Sequence, residues 1–384
     1  MDYDVVVIGA GIHGAGVAQA AAAAGYHTLL LEQYDGPAAG TSSKSSKLIH
    51  GGLRYLESGQ LGLVRECLVE RQRLLANAPQ LVRLTPFHIP VYRNTRRRPW
   101  QIRLGLSLYA LLGGKGFQQL PPSAWSDLDG LRTDTLDAVF RYYDAQTDDE
   151  QLTQAVLASA GSLGAEVRYQ CNFERAICER EHCVVFYRGT DGGAEITTRV
   201  LVNAAGPWIN TILGRIEPVA RPLAIDLVQG AHLVIPGTLH QGMYYLEAPQ
   251  DKRAVFITPW KDNILLGTTE SLFTGNPKDV RPLEQEISYL LDVYNHYFEK
   301  ALDSSQVIEA FAGLRVLPRG KDAAFHRSRD TLLHRDADTC PRVLSIYGGK
   351  LTSYRATAEK VIQKLAPLLP PRNKLADTRT LRLP

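Results

Sequence analysis

A chain of 384 residues, 45% hydrophobic and 22% charged, has the composition of an ordinary globular protein and is long enough for two domains. Its net charge of +3 is too small to argue for nucleic acid. Five cysteines (Cys67, Cys171, Cys178, Cys183 and Cys340) include no CxxC pair, which predicts reduced thiols in a cytoplasmic protein and neither a disulfide framework nor a metal site.

The N-terminus, MDYDVVVIGAG, lacks the basic start of a signal peptide. No apolar run reaches the ~20 residues of a membrane span. Residues 4–8, DVVVI, predict a buried parallel strand. Gly9-Ala10-Gly11-Ile12-His13-Gly14 follows, then an alanine-rich helix to about Ala24. HTLLLE is a second strand, ending in Glu32. This βαβ unit, with an acid roughly 20 residues past the glycines, predicts a dinucleotide site. Gly9 permits the tight turn, Gly11 lets a pyrophosphate approach, and Gly14 lets the helix lie on the sheet. The helix N-terminus presents amides to phosphate, and Glu32 can hold an adenosine ribose. The motif does not choose between NAD and FAD. His13 reads as a surface residue at the helix start.

Residues 40–47, GTSSKSSK, offer hydroxyls, amides and two lysines. Composition suits a solvated loop; position, eight residues after Glu32, suits a cradle for the cofactor. An amphipathic helix, LVRECLVERQRLLANA, comes next. In the 93–112 segment, three arginines (Arg96, Arg97, Arg98) precede Trp100, Ile102, Leu104 and Leu106. A basic run with an aromatic anchor reads as a membrane-surface patch or as a basic loop entering a core helix. Further on, DEQLTQAVLASAGSLG predicts a helix, and AEVRYQC and TRVLVNAAG predict strands. GAHLVIP, AVFITPW and NILLGTT predict strands of one sheet, with EQEISYLLDVYNHYFEKAL as a long helix on it. Gly348-Gly349-Lys350 leads into the last helix.

Five segments carry a resemblance. VVVIGAGIHGAG, TSSKSSKLIHGGLRYLE (41–57), NAAGPW (203–208), GTTE (267–270) and YGGKLTSYRATAEK (347–360) occur in that order. The set resembles the FAD-dependent glycerol-3-phosphate dehydrogenases, from the first strand to about residue 365. IHGGLRYLE and GGKLTSYR are specific to that family; the glycine loop and GTT are shared with flavin oxidoreductases of the D-amino-acid-oxidase type. AGLRVLPRG at 312–320 differs from the family's usual GxRPL. The family's further C-terminal helical domain is not among the 384 residues, so the resemblance is to a short form.

The resemblance implies an α/β fold of D-amino-acid-oxidase-like architecture. A Rossmann-like FAD domain would be assembled from 1–75, 145–215 and 312–384, and a mixed-sheet substrate domain from 76–144 and 216–311. It implies FAD as cofactor, held by Gly9, Gly11, Gly14, Glu32, Thr41, Ser42, Ser43, Ser46, Lys47, Leu48, His50, Gly51, Gly206, Gly349, Lys350, Leu351 and Thr352. The implied reaction moves a hydride from C2 of sn-glycerol 3-phosphate to flavin N5, with electrons passed to quinone or another acceptor. A phosphate dianion calls for arginine forks. Arg54, Arg315 and Arg329 are the candidates, with Arg319 and Arg327 as competitors. His50 is the favoured proton acceptor, since an imidazole suits base chemistry at neutral pH. His232 is its rival, with an arginine or water as further alternatives. Lys350 would face either the flavin or the substrate. The expected location is cytoplasmic, with peripheral membrane contact through 93–112. Two other readings stand beside this one: a relative acting on another hydroxy acid, polyol phosphate or amine, and a flavin-bound interaction subunit without turnover.

Overall fold

A computed structural model describes residues 1–57, 59–218, 220–320, 330–337 and 341–384. The first sheet is built around Tyr3–Ile8, every residue of which is buried. It pairs in parallel with Thr28–Leu31 on one side and with Gly192–Asn203 on the other. On its other edge the 12-residue strand Gly192–Asn203 serves two further partners. Its first half pairs antiparallel with Cys183–Gly189, and its last residues pair parallel with Val343–Tyr347. Three helices, Ile12–Ala23, Asp149–Ser162 and Tyr354–Leu365, pack on this sheet.

The alanine-rich helix between them is buried on nearly all sides. Small side chains let its neighbours approach. A Cβ on Gly16 would lie 2.7 Å from the Tyr354 ring, and Gln19 donates to Ser159 across 2.9 Å. The low-complexity run AQAAAAAG is therefore a packing surface.

The second sheet runs, in spatial order, from Ser271–Phe273 through Ile225–Pro236, Asn263–Gly267, Ala254–Trp260, Met243–Glu247, Val82–Tyr92 and Leu136–Thr147 to Leu48–Ile49. Glu309–Pro318 pairs along Ile225–Pro236. Helix Glu284–Tyr297 covers one face, with Leu290, Val293 and Tyr294 in the core. The domain limits expected at 75, 144 and 312 fall inside helix Leu61–Asn77, strand Leu136–Thr147 and strand Glu309–Pro318.

The expectation of thiols alone is corrected. Cys178 and Cys183 form a disulfide, with their Cα atoms 4.0 Å apart. They sit directly opposite each other in the antiparallel pair Asn172–Cys178 and Cys183–Gly189. The connecting residues 179–182, EREH in sequence, carry no glycine or proline to mark the hairpin. Cys67 and Cys171 are free and buried, and Cys340 lies outside the described residues.

His88 sits on Val82–Tyr92 at 1% exposure, its ring 5.5 Å from that of Tyr244. Burial pushes its imidazole down to about 4, and nearby Arg141 acts in the same direction. The unfolded chain takes up this proton from about pH 6.5 downward, while the folded chain resists it. Stability is therefore expected to fall as pH drops from about 6.5 toward 4. Denaturant titrations across that window should show a shallower fall for His88→Phe, by about one proton. An unchanged slope would place the acid sensitivity elsewhere.

Candidate active site

The glycine loop is forced by its surroundings. Gly9 has φ +102°, and a Cβ there would lie 2.9 Å from the Ala204 carbonyl. A Cβ on Gly14 would overlap the Gly9 carbonyl oxygen. Only glycine satisfies both positions. Glu32 braces the turn: its carboxylate accepts from the Ala10 amide at 2.6 Å and the Tyr34 amide at 3.0 Å. Burial pushes this carboxyl above its ordinary range, and those amides oppose the shift. A long cleft begins here and runs between the two sheets.

His13 is not a surface residue. It lines the cleft against Gly349, where any Cβ would overlap its ring. Burial pushes its imidazole down to about 4, so the ring is neutral at ordinary pH.

The hydroxyl-rich stretch divides into two sets. Thr41, Ser42, Ser46, Leu48 and His50 line the cleft, as do Lys44 and Ser45. Ser42 Oγ accepts from the Ile12 amide at 2.9 Å, which ties the stretch to the helix start. Ser43, Lys47 and Gly51 do not line the cleft. Lys47 turns away into a buried ion pair with Asp149 and also donates to the Ser43 carbonyl at 2.7 Å. Gly206, Gly349, Lys350, Leu351 and Thr352 line the far side. Thr352 Oγ1 accepts from the His50 amide at 3.1 Å, joining the two sides.

At the end away from Glu32, Tyr55 gathers two cations. Lys350 Nζ stands 4.2 Å from the ring centroid and the Arg54 guanidinium 5.7 Å. The Lys350 ammonium is buried with no hydrogen-bond acceptor among the described residues. Arg315 donates to Thr268 Oγ1 at 3.0 Å and fills the space left by Gly230. Phe87, Tyr142, Tyr245 and Phe256 form an aromatic wall, with Phe87 and Phe256 centroids 6.3 Å apart.

His232 does not line the cleft. It is packed between Gly267 and Phe311, and Ser46 Oγ stands 2.9 Å from its Nε2, between ring and cleft. Burial pushes it well below the usual imidazole range, with Arg315 and Lys47 adding to the effect. Arg329 lies outside the described residues, as does Arg327. Arg319 is exposed and pairs with Asp226 at 3.2 Å, away from the cleft.

The lining residues not anticipated include Arg253, Glu270 and Asp144. Arg253 and Glu270 face each other at 3.5 Å. Tyr142 and Asp144 stand two apart on strand Leu136–Thr147, so one face of it reaches the cleft. That period of two was the available signal.

The cleft fits an adenine dinucleotide flavin. It has a helix N-terminus with a glycine turn, an acid for the ribose, and an aromatic wall of Phe87, Tyr142, Tyr245 and Phe256 at the end away from that acid. Comparisons with known proteins agree. The model of the FAD dependent oxidoreductases matches residues 4–355. The aerobic glycerol-3-phosphate dehydrogenase of Escherichia coli (strain K12) is 38% identical over 377 residues, covering 95% of this chain and 73% of that protein. The D-erythritol 1-phosphate dehydrogenase of Brucella abortus (strain 2308) is 37% identical over 377 residues, covering 96% and 74%. The X-ray structure of the glycerol-3-phosphate dehydrogenase from Bacillus halodurans complexed with FAD superimposes with a TM-score of 0.79 at 26% identity, covering all of this chain and 68% of that one.

Proposed function

Because the chain belongs to the family of FAD-dependent oxidoreductases, we propose that it oxidises the secondary hydroxyl of sn-glycerol 3-phosphate, or of a close polyol phosphate, to the ketone. FAD, when bound, supplies the two-electron acceptor, and we place quinone as the onward acceptor. The observation that carries the substrate reading is the charge of the cleft. Arg54, Arg315 and Lys350 line its inner end. Two of its carboxylates are engaged: Asp144 by Arg71 and Glu270 by Arg253. Among the described residues, the lining acids also include Glu32, at the opposite end, and Asp330, beside Gly348. A phosphate dianion leaving water is stabilised by such fixed cations, whereas an ammonium group is repelled. The two curated relatives, at 38% and 37% identity, do not separate three-carbon from four-carbon substrates, so both belong in the assay.

Arg54→Ala is expected to lose roughly two orders of magnitude in kcat/KM for glycerol 3-phosphate, since truncating one partner of a desolvated charge pair costs about 2–5 kcal/mol. Unphosphorylated glycerol, already a poor substrate, should lose little. A proportional loss for both would show that Arg54 supports the fold rather than reading phosphate.

His50 is the proton acceptor in this reading. It lines the cleft, and its backbone is fastened to Thr352. His232, screened by Ser46, is left with a packing role. Stopped-flow reduction of the bound flavin by substrate should slow ~10²–10⁴-fold in His50→Asn, with substrate affinity nearly kept. A near-parental rate would leave the proton to water or an arginine.

A peripheral membrane contact belongs to the same reading. No helix among the described residues is long and apolar enough to cross a membrane. Helix Pro99–Leu111 instead exposes Trp100, Leu104 and Leu111, at 65%, 63% and 83%. These positions fall on one helical stripe. Arg96, Arg98 and Arg103 surround it and are exposed. Arg97 does not join them, because Glu57 and Glu247 hold it in ion pairs. Basic residues at an anionic surface contribute about 1 kcal/mol each. Flotation with phosphatidylglycerol-containing liposomes should recover the protein at low salt and lose it for Trp100→Ala combined with Arg96→Gln and Arg98→Gln. Equal flotation of that variant would remove the helix from consideration.

A further inference from the structure

Asp144 presents a puzzle for an anion site. It is buried at 1% exposure and lines the same cleft that receives the phosphate. A carboxylate there repels the substrate unless its charge is balanced and its oxygens are occupied. Both conditions are met. Arg71, on helix Leu61–Asn77, is fully buried and ion-paired with Asp144. Its Nη1 also donates to the Tyr143 carbonyl at 3.0 Å. Tyr109, on helix Pro99–Leu111, donates its hydroxyl hydrogen to Asp144 at 2.8–2.9 Å. The Gly51 amide donates to Asp144 Oδ1 at 3.1 Å and to Tyr109 Oη at 2.9 Å.

Two helices and a strand therefore converge on one backbone amide. That amide belongs to the turn carrying His50 on one side and Arg54 on the other. No side chain fits at position 51, since a Cβ would overlap Tyr109 Oη and Leu68 Cδ2.

We propose that Asp144, with Tyr109, is a positioning residue of the substrate site: the pair clamps Gly51 and thereby fixes where Arg54 meets the phosphate. The proposal rests on the polyol-phosphate reading above. Asp144 does not act as a base, because its oxygens already accept from the Gly51 amide, the Arg71 guanidinium and the Tyr109 hydroxyl. Arg71 sets the charge balance, and Tyr109 passes the position of Asp144 to the turn.

The test uses the flavin-bound enzyme. Asp144→Asn would leave Arg71 buried without its counter-charge and can fail to fold, so Tyr109→Phe is the main variant. It keeps the ring and the Arg71–Asp144 pair and removes only the hydroxyl. Flavin content and thermal midpoint should stay near parental. KM for glycerol 3-phosphate should rise roughly tenfold, the scale of one net hydrogen bond, with kcat less affected and unphosphorylated glycerol unchanged. Amide hydrogen exchange in the peptide covering residues 48–56 should accelerate by a similar factor. A lowered thermal midpoint with unchanged KM and unchanged exchange would show a merely structural role and overturn the proposal. A parent enzyme inactive on every polyol phosphate would sink the substrate reading instead, and the exchange result would still decide whether the clamp exists.

Discussion

The site depends first on the buried ion pair between Lys47 and Asp149. The chain leaves the glycine loop, runs through the hydroxyl-rich stretch and crosses to the second sheet, where Leu48–Ile49 adds a short strand to Leu136–Thr147. Lys47 stands at that crossing, and Asp149 begins a helix of the first sheet. The pair is nearly inaccessible on both sides. Ser45 adds its amide and hydroxyl to the same carboxylate, at 2.9 and 2.6 Å. Removing one partner of such a pair costs about 3–5 kcal/mol, because the other charge is left in a dry interior. The segment that carries His50 and Arg54 starts from that anchor, and Thr352 and the Asp144–Tyr109 pair hold it further along.

The same rule governs three other buried acids. Glu70 is held by Arg355 and Arg73, Asp144 by Arg71, and Glu247 by Arg97. Each of these pairs joins elements that are distant in sequence, apart from Glu70 with Arg73. Their worth is less in net stability than in fixing which element lies against which. The cleft departs from the rule. Lys350 keeps a buried ammonium over an aromatic face, without an acceptor among the described residues. A charge left so is stabilised once an anion arrives, which is the electrostatic condition of an anion-binding pocket.

Legibility in the sequence followed locality. The βαβ unit was readable because its glycines, helix and acid lie within a few dozen residues and obey one period. The strands around GAHLVIP, AVFITPW and NILLGTT were readable from apolar runs. What was not readable depends on partners far away. Lys47 looked like a cofactor ligand because its acid is 102 residues downstream. His232 looked like a base because the sequence does not show Ser46 standing before its ring. His13 looked exposed because Gly349, which covers it, comes near the other end of the chain. The Cys178–Cys183 bridge hid in a hairpin with no turn residues to announce it.

The two glycines of His-Gly-Gly-Leu-Arg answer to different constraints, and only together do they make the turn. Gly52 has φ +76°, a left-handed conformation that L side chains avoid, and a Cβ there would also overlap the Tyr55 ring. Gly51 has no such backbone requirement; it is small because Tyr109 and Leu68 occupy the space. One glycine bends the chain, and the other lets the bend approach close enough for its amide to reach Asp144. With the bend alone, Arg54 would be presented on a free loop. With the approach alone, the chain would run straight past Tyr55 and could not return Arg54 to the ring that also holds Lys350. The motif is thus a statement about backbone geometry, and the chemistry resides in the side chains that this geometry holds on either side of it.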